Sequence, residues 1–488
     1  MIPERFAPVL AELAPLAETF QADGHRLYLV GGAVRDLLVG SARAHFDLDL
    51  TTDARPPAVK RLLDSWGDAV WTQGERFGTI GAHRRADDGA FRTVEVTTFR
   101  SDAYVDDSRK PHVTFGNDIE SDLARRDFTI NAMALELAPG TTGSVDATLV
   151  DPHGGVADLA AKVLRTPMAP KVSFDDDPLR MLRAARFIAA YDLTPVPELT
   201  AAVAERGGRL DIVSRERIRD ELDKLMVVDH PSAGLWFLVE TGLAEHFLPE
   251  LPALRLEHDP IHRHKDVLSH TIAVVENVRP PAPVDGDRPA FDFRLTRLAA
   301  LFHDVGKPAT RGYQSGKGTT FHHHDVVGAR ITRRRMEELR YPSADIAAVA
   351  ELVFLHLRFH TYKMGWSDSA VRRYVRDAGD LLVELNVLTR CDCTTRDERK
   401  AAQLSKRMDE LEARIDELAA QEELAAIRPE LDGNQIMTRL GVPPGPVVGK
   451  ALAHLLEIRL DEGELGEAEI ARRLDEWWME EGRRTEGG

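Results

Sequence analysis

Asp47 and Asp49 stand two residues apart in the stretch Phe46-Asp47-Leu48-Asp49-Leu50. Side chains alternate along a strand, so both carboxylates would project from one face while Phe46, Leu48 and Leu50 take the other. Two adjacent carboxylates repel unless a cation lies between them, an arrangement suited to Mg²⁺. A pair of such ions roughly 3.5–4 Å apart can activate a hydroxyl and neutralise a leaving pyrophosphate. Glu95, in Val94-Glu95-Val96, offers a third strand-borne carboxylate to complete the site. Upstream, Tyr28-Leu29-Val30 runs into Gly31-Gly32 and then into helical spacing through Leu38. Glycines there let backbone N–H groups approach a phosphate at a helix N-terminus, where the dipole also favours an anion. Arg35, one turn in, could hold the same phosphates bidentately. Alone, a Gly-Gly pair is more often a tight turn and an Asp-x-Asp a half-exposed strand. Their succession is what points to a metal-and-phosphate site.

A second constellation gathers histidines between residues 258 and 360. His270 is followed by His303-Asp304 with Gly306-Lys307 behind it, then His324, His356 and, last, Asp392. A histidine, an adjacent His-Asp pair, further histidines and a late aspartate on separate helices suit a mono- or dinuclear metal centre, with a transition-metal ion as its occupant. His262, His264, His322, His323 and His360 read as solvated residues.

The elements that must carry these groups change character along the chain. Up to about residue 170, short β-type runs alternate with glycine turns, as in 26–30, 46–52, 78–83 and 91–99. Beyond about 175, helical periodicity takes over, as in 178–191 and 216–226, with a proline-rich loop at 279–291. The charged run 405–427 reads as a long exposed helix with a structural role. The expected fold is therefore an α/β head followed by an all-α remainder. Its expected divisions are a head over 1–170, a helical neck over 171–235, a histidine-bearing helical domain over 236–400 and a helical tail over 401–488. At 488 residues several cores are affordable.

Hydrophobic residues make up 43% and charged residues 29%, with 63 basic against 80 acidic side chains for a net charge of −17. That balance argues against indiscriminate nucleic-acid binding, which rests on phosphate neutralisation, but permits a local basic groove. Arginines do cluster, at 180, 183 and 186, at 215, 217 and 219, and at 333–335, and only the first cluster lies beside other chemistry. No apolar stretch approaches a membrane helix, and the opening MIPERFAPVL has no basic region followed by an apolar core, so neither a membrane anchor nor a secretory signal is expected. Cys391 and Cys393 cannot form a disulfide framework, and reduced thiols fit a cytoplasmic protein. Nothing in the sequence specifies an oligomeric state.

GGAVRDLLVG followed by DLDL resembles the signature of the tRNA nucleotidyltransferase and poly(A) polymerase family, within the polymerase-β-like superfamily. EVTTFR, RRDFTINAMA, LVDPHGGVADL, DDPLRMLRAARF and SRERIRDELDKLM follow in the family's order, covering roughly residues 25–230. The match is to the bacterial-type (class II) CCA-adding enzymes, and it implies template-independent addition of C, C and A to the 3′ end of tRNA from CTP and ATP. The resemblance makes Asp47 and Asp49 metal ligands, places Gly32 and Arg35 on the triphosphate, and makes Arg126 a nucleotide contact and Asn131 a ribose contact. The segment 101–115 is similar to the family's loop that closes between C and A addition, with Tyr104, Arg109 and Pro111 intact. Asp177 and Arg180 stand where the family's E-D-x-x-R segment pairs with the base edge; Asp176 replaces the usual Glu. A carboxylate accepting from an exocyclic amine and a guanidinium donating to ring acceptors would select C and A over U and G. Arg183 and Arg186 would continue that face toward the nucleotide. Asp before Pro is also a common helix start, so Asp177 could cap instead, unless Asp175 or Asp176 does so.

The second half resembles the HD phosphohydrolase superfamily, which makes His270, His303, Asp304 and Asp392 the core ligands and His324 and His356 candidates for a second metal. Residues 432–460 are similar to the family's tRNA-contacting tail, whose glycine turns could offer N–H groups to phosphates. The plain alternative is a helix-turn-helix packing element. Two other readings stay open: a poly(A) polymerase or partial CC- or A-adding enzyme on the same head, and an RNA-binding HD hydrolase with an inactive transferase head.

Overall fold

The computed structural model describes residues 3–40, 48–85, 91–100, 115–116, 118–140, 145–256, 266–281, 291–315, 318–361, 366–394, 397–421 and 427–486. Asp47, the segment 101–114 with Tyr104, Arg109 and Pro111, and His262 and His264 therefore lie outside the described residues. The chain divides into two compact units, Met1–Pro249 and Glu250–Gly488.

The first unit opens with α1 (Ala7–Ala22), then β1 (Leu27–Val30), α2 (Gly32–Val39), β2 (Leu48–Thr52), α3 (Pro56–Trp66), β3 (Ala69–Trp71), β4 (Thr79–Arg85) and β5 (Phe91–Thr98). After α4 (Ile119–Ala124), β6 (Ala134–Pro139) and β7 (Val145–Val150) complete a seven-stranded sheet of order β3-β4-β5-β2-β1-β6-β7. Within it β2 and β5 run parallel, and the other neighbouring strands antiparallel. Alternation sorts the two faces. Leu48, Leu50, Ile80, Ala82, Val94 and Val96 point into a core with Leu13, Leu16 and Phe20 of α1 and Val59, Leu62 and Leu63 of α3. Each of the buried Leu, Ile, Val and Phe side chains among them contributes about 1.5–3 kcal/mol. The opposite face of β2 and β5 presents Asp49 and Glu95, both exposed. A slip of one residue in either strand would drive a carboxylate into the apolar core, so hydrophobic burial holds the acidic groups in register.

The four strand segments expected from the sequence are β1, β2, β4 and β5, while β3, β6 and β7 had no expectation attached to them. The helical part of this unit comprises α5 (Gly155–Ala160), α6 (Pro170–Asp176), α7 (Leu179–Tyr191), α8 (Pro197–Arg206), α9 (Arg215–Met226) and α10 (Ser232–Glu240). In α7, Met181, Leu182, Ala184, Ala185, Phe187 and Ile188 are buried, leaving Arg180, Arg183 and Arg186 along one flank.

In the second unit, α11 (Val267–Asn277), α12 (Phe293–Phe302), α13 (Lys307–Thr310), α14 (His324–Glu338), α15 (Ser343–Leu355), α16 (Asp368–Ala378) and α17 (Leu382–Cys391) precede the long α18 (Glu398–Gln421). Of α18 only Met408, Leu411 and Leu418 are buried, the single apolar stripe expected of a surface helix. α19 (Gly433–Leu440), α20 (Pro446–Glu462) and α21 (Glu467–Glu486) share a small core that includes Ile436, Val448, Leu455, Ile458, Ile470 and Leu474. The stretch 432–460 is thus two packed helices, the first opened by a capping box between Asp432 and Gln435. Among the described residues no helix is long and apolar enough to cross a membrane.

Candidate functional site

β1 ends at Val30 and the chain turns through Gly31, at φ +71°, into α2. Only glycine takes that conformation without strain. A methyl group there would also stand 2.8 Å from Nη1 of Arg126 and 4.0 Å from Oδ2 of Asp49. The glycine turn, the Arg126 guanidinium and the strand carboxylate therefore meet at one point. Asp49 and Glu95 are register partners on parallel strands.

Beside Asp49 lies a cavity of about 380 Å³ lined also by Val30, Thr97, Arg100, Asp122, Arg125, Arg126, Asp177 and Arg180. Three guanidiniums beyond Arg180 face it, so four arginines meet three carboxylates in the lining. Arg126 is 3.7 Å from the Asp122 carboxylate, and its Nε is buried with no hydrogen-bond partner among the described residues. Such a donor costs free energy unless an acceptor fills the cavity.

Asp177 lies between α6 and α7, beside the N-cap Pro178, and lines the cavity. Its Oδ1 accepts from the Leu179 N–H at the start of α7 (3.2 Å), and Oδ2 accepts from Nη2 of Arg217 at 3.2 Å. A carboxylate has further lone pairs for the cavity it lines. Arg180 Nη1 donates to Ser173 Oγ (2.8 Å) and Nη2 to the carbonyl of Arg125. Burial lowers its pKa despite neighbouring Asp127, Asp177 and Asp176. Asp176 ends α6, its carboxyl raised by burial against the pull of Arg180.

Arg35, Arg183 and Arg186 are placed differently from Arg126 and Arg180. Arg35 is buried, donating Nε to Asp36 at 2.9 Å and Nη1 to Asn131 Oδ1, with its guanidinium 4.3 Å from the centre of the Tyr191 ring. Asn131 passes the chain on, giving Nδ2 to Asp127 Oδ1 at 3.0 Å. Arg183 grips the other oxygen of Asp127 through Nε (2.8 Å) and Nη2 (2.5 Å). Arg186 Nε donates to buried Glu221 at 2.9 Å. Rather than lining the cavity, these arginines tie α2 to α7 and α7 to α9. Burial pushes the Asp127 carboxyl up, but Arg183 and the Asn131 amide hold it at about 2. Asp127 and Glu221 were missed in the sequence; a carboxylate on the buried face of an otherwise amphipathic helix (Glu221 beside Ile218, Leu222 and Leu225) is the signal that was there. Gly32 stands in the first turn of α2, 3.4 Å from Arg35 Nη2 at its missing Cβ.

In the second unit the six residues of the histidine constellation converge. His303 and Asp304 follow α12, His324 opens α14, His356 follows α15 and Asp392 follows α17. Nδ1 of His303, His324 and His356 each lies within 2.8 Å of the carbonyl three residues before it, at Ala300, Phe321 and Val353. A carbonyl accepts only, so each Nδ1 carries the proton and each Nε2 is left as a lone pair. Nε2 of His356 faces Nε2 of His324 at 3.3 Å, and Nε2 of His303 faces that of His270 at 3.3 Å. The opposed lone pairs of His324 and His356 suit a bound cation.

Asp304 separates the two pairs. Its Oδ2 lies 3.2 Å from His303 Nε2 and 3.6 Å from His270 Nε2; its Oδ1 lies 3.5 Å from His324 Nε2. Asp392 Oδ1 stands 2.9 Å from His270 and 3.5 Å from His303. His270, His303 and Asp304 form one group of converging donors, and Asp304, His324 and His356 another. Lys307 Nζ, 2.6 Å from Asp304 Oδ2, supplies a positive charge that the sequence reading had not assigned. Despite its burial, Asp304 titrates well below the ordinary carboxylate range beside His303 and Lys307, while burial lowers His356 to about 4. These two shifts favour the metal-binding forms of Asp304 and His356 near neutral pH, whereas His303, which burial would lower, is raised by Asp304.

A mixed sheet with strand carboxylates at an arginine-bearing cavity, followed by helices with a converging histidine cluster, defines a polymerase-β-like nucleotidyltransferase head joined to an HD-type helical region. Residues 27–165 match the model of the poly A polymerase head domain, 192–254 that of the probable RNA and SrmB-binding site of polymerase A, and 267–415 that of the HD domain. The A-adding tRNA nucleotidyltransferase of Deinococcus radiodurans is 33% identical over 461 residues, 93% of this chain and 95% of that one. The CC-adding tRNA nucleotidyltransferase of Thermus thermophilus is 31% identical over 461 residues, 92% of this chain and 93% of that one. The crystal structure of the Bacillus stearothermophilus CCA-adding enzyme in complex with CTP shares the fold, with a TM-score of 0.67 at 22% identity and 99% of each chain covered. The chain belongs to the bacterial class II tRNA nucleotidyltransferase and poly(A) polymerase family. Enzymes of this kind are metal-dependent, and acidic and histidine groups able to hold a metal ion are present.

Proposed function

We propose that this enzyme adds C, C and A to the 3′ end of tRNA from CTP and ATP, by attack of the terminal 3′-hydroxyl on the α-phosphate and release of pyrophosphate. The observation that carries this reading is the pairing of Asp49 with Glu95 on neighbouring strands, beside a cavity lined by Arg126, Asp177 and Arg180. Mg²⁺ held by Asp47, Asp49 and Glu95 would supply the Lewis acid that makes the hydroxyl a nucleophile and neutralises the leaving group. Arg126, with Arg100 and Arg125 beside it, binds the triphosphate oxygens. Asp177 and Arg180 read the base edge, the carboxylate taking the exocyclic amine common to C and A. Gly31 keeps the backbone low enough for Arg126 to reach over it. Arg35, Arg183 and Arg186 act as positioning residues that hold α7, and with it Asp177 and Arg180, at the sheet.

A partial reaction is the second reading, favoured by the A-adding and CC-adding names of two relatives matched along nearly the whole chain. Purified enzyme is given tRNA lacking CCA, tRNA ending in C, and tRNA ending in CC, with each nucleotide singly and with CTP plus ATP. Sequential C, C and A addition is the expected result. Extension of tRNA ending in CC alone, or arrest after two cytidines with ATP present, would assign the partial reaction; long ATP-only tails would assign poly(A) synthesis.

In the second unit, His270, His303, Asp304 and Asp392 would hold one transition-metal ion and Asp304, His324 and His356 a second, with Asp304 between them. Such a pair supports phosphoester hydrolysis by orienting an attacking water.

A further inference from the structure

We propose that the indole of Trp71 is the stacking platform for the 3′-terminal base of the acceptor RNA, on the far side of the strand carboxylates from the incoming nucleotide. This rests on the nucleotidyl-transfer reading above. Register places Trp71 opposite Gly81, Gly81 opposite Glu95 and Glu95 opposite Asp49. The four residues form one row across β3, β4, β5 and β2, on the face that carries the acidic groups. Gly81 is what lets the indole lie down. A methyl group there would sit 2.1 Å from Cε2 and 2.3 Å from Cζ2 and Nε1 of Trp71, so the ring covers β4 itself. Gly81, which the ring covers, lies about one strand spacing, roughly 5 Å, from Glu95.

Above this row lies a cavity of about 440 Å³, separate from the one at Asp177, whose lining includes Trp71, Gln73, Phe77, Thr79, Glu95 and Arg100. The composition suits a nucleobase: two aromatic rings for its face, with an amide, a hydroxyl and a guanidinium for its polar edge. Arg100 lines both cavities, its Nη2 donating to Thr79 Oγ1 at 3.1 Å. An attacking 3′-hydroxyl must reach the carboxylate row from the side that the incoming triphosphate leaves open, and this cavity opens on Glu95 from that side. His83, its ring centre 6.0 Å from the indole, flanks the platform on the same face.

The test compares wild type with Trp71→Leu, which keeps apolar bulk without the ring system, and Trp71→Phe, which keeps a smaller one. Steady-state extension is measured on tRNA lacking CCA with CTP. Stacking is worth about 1–3 kcal/mol per base, so the KM for tRNA should rise roughly 5- to 150-fold in Trp71→Leu. Most of that loss should return in Trp71→Phe, with the KM for CTP unchanged. A second acceptor carries an abasic 3′-terminal nucleotide. Wild type should lose about as much on it as Trp71→Leu loses on the intact acceptor, and the variant should lose little more. An unchanged KM for tRNA in a Trp71→Leu enzyme that melts as wild type does, or equal abasic penalties in both enzymes, would overturn the proposal. Should the variant fold poorly, wild type alone decides, since indifference to the abasic terminus overturns it too. A wild-type enzyme that extends no tRNA overturns the transferase reading and this inference with it, whereas normal extension without a terminal-base effect overturns this inference only.

Discussion

Asp49 and Glu95 face each other across the parallel pair of β2 and β5, both exposed, in a sheet whose other face is sealed by α1 and α3. The antiparallel neighbours of these strands set Gly81 opposite Glu95 and Leu29 opposite Leu50, next to Asp49, so the acidic pair sits in the interior of a seven-stranded sheet. Rigid placement of this kind is what charge stabilisation at a reacting phosphate requires.

Removing either carboxylate should disable transfer while sparing the fold. Asp49→Ala and Glu95→Ala replace exposed side chains, so melting temperatures should stay within about 2 °C of wild type. Transfer rates should fall by at least about 10²-fold, as expected on losing a preorganised charge at the reacting centre. Single-turnover CTP incorporation measures this, and a Glu95→Ala enzyme of normal rate would remove Glu95 from the site.

Base choice should loosen at Asp177 and Arg180. A good bidentate base contact is worth about 1–3 kcal/mol of discrimination, or roughly 5- to 150-fold. Arg180→Ala should therefore raise incorporation of UTP relative to CTP by about that factor. Because Asp177 also accepts the Leu179 N–H at the start of α7, Asp177→Asn, which keeps one oxygen, is the cleaner variant of that residue. Competition assays with mixed nucleotides read the ratio; complete exclusion of UTP by both variants would end the base-reading role.

The Asp127–Arg183 pair should make stability fall in acid. The Asp127 carboxyl is depressed from 3.8 to about 2 in the folded chain, so its contribution is present above the unfolded value near 4 and is lost as pH falls from there through 2. A depression of nearly two units corresponds to about 2 kcal/mol. Asp127→Asn should lose stability by about that amount at pH 7 and differ little from wild type at pH 2. Denaturant midpoints of both proteins across this range are the measurement, and parallel curves would show that another group governs the acid transition.

Metal stoichiometry should separate the two halves of the histidine cluster. His324→Ala and His356→Ala should each lose one of two bound transition-metal ions, and Asp304→Ala both, since Asp304 belongs to both donor groups. Elemental analysis after dialysis against a weak chelator counts the ions. One ion in wild type, unaltered by His356→Ala, would confine the site to His270, His303, Asp304 and Asp392. Chelation should leave the melting of the first unit unchanged.

Gly31→Ala should impair both folding and transfer. The new methyl would meet Arg126 Nη1 at 2.8 Å in a backbone conformation of φ +71°. A cost of about 1–2 kcal/mol is expected from the backbone alone, with a raised KM for CTP as Arg126 is displaced.

Much of this protein was legible in the residues by themselves, for local reasons. Strand alternation set Asp49 on the face opposite Leu48 and Leu50, because side chains on an extended backbone can point in only two directions. The order of short motifs carried the family, and adjacent His-Asp pairs with distant histidines carried the expectation of a metal cluster. Which oxygen or nitrogen meets which could not be read that way. Arg35, Arg183 and Arg186 sit in sequence beside residues expected to face the nucleotide, yet Asn131, Asp127 and Glu221, drawn from other elements, engage them. The level pairing of Asp49 with Glu95, the resting of Trp71 on Gly81 and the placing of Asp304 between two histidine pairs all join residues far apart in the chain. Those contacts depend on strand order and helix packing. Burial energy summed over the whole core selects them, and no short window of sequence contains that sum.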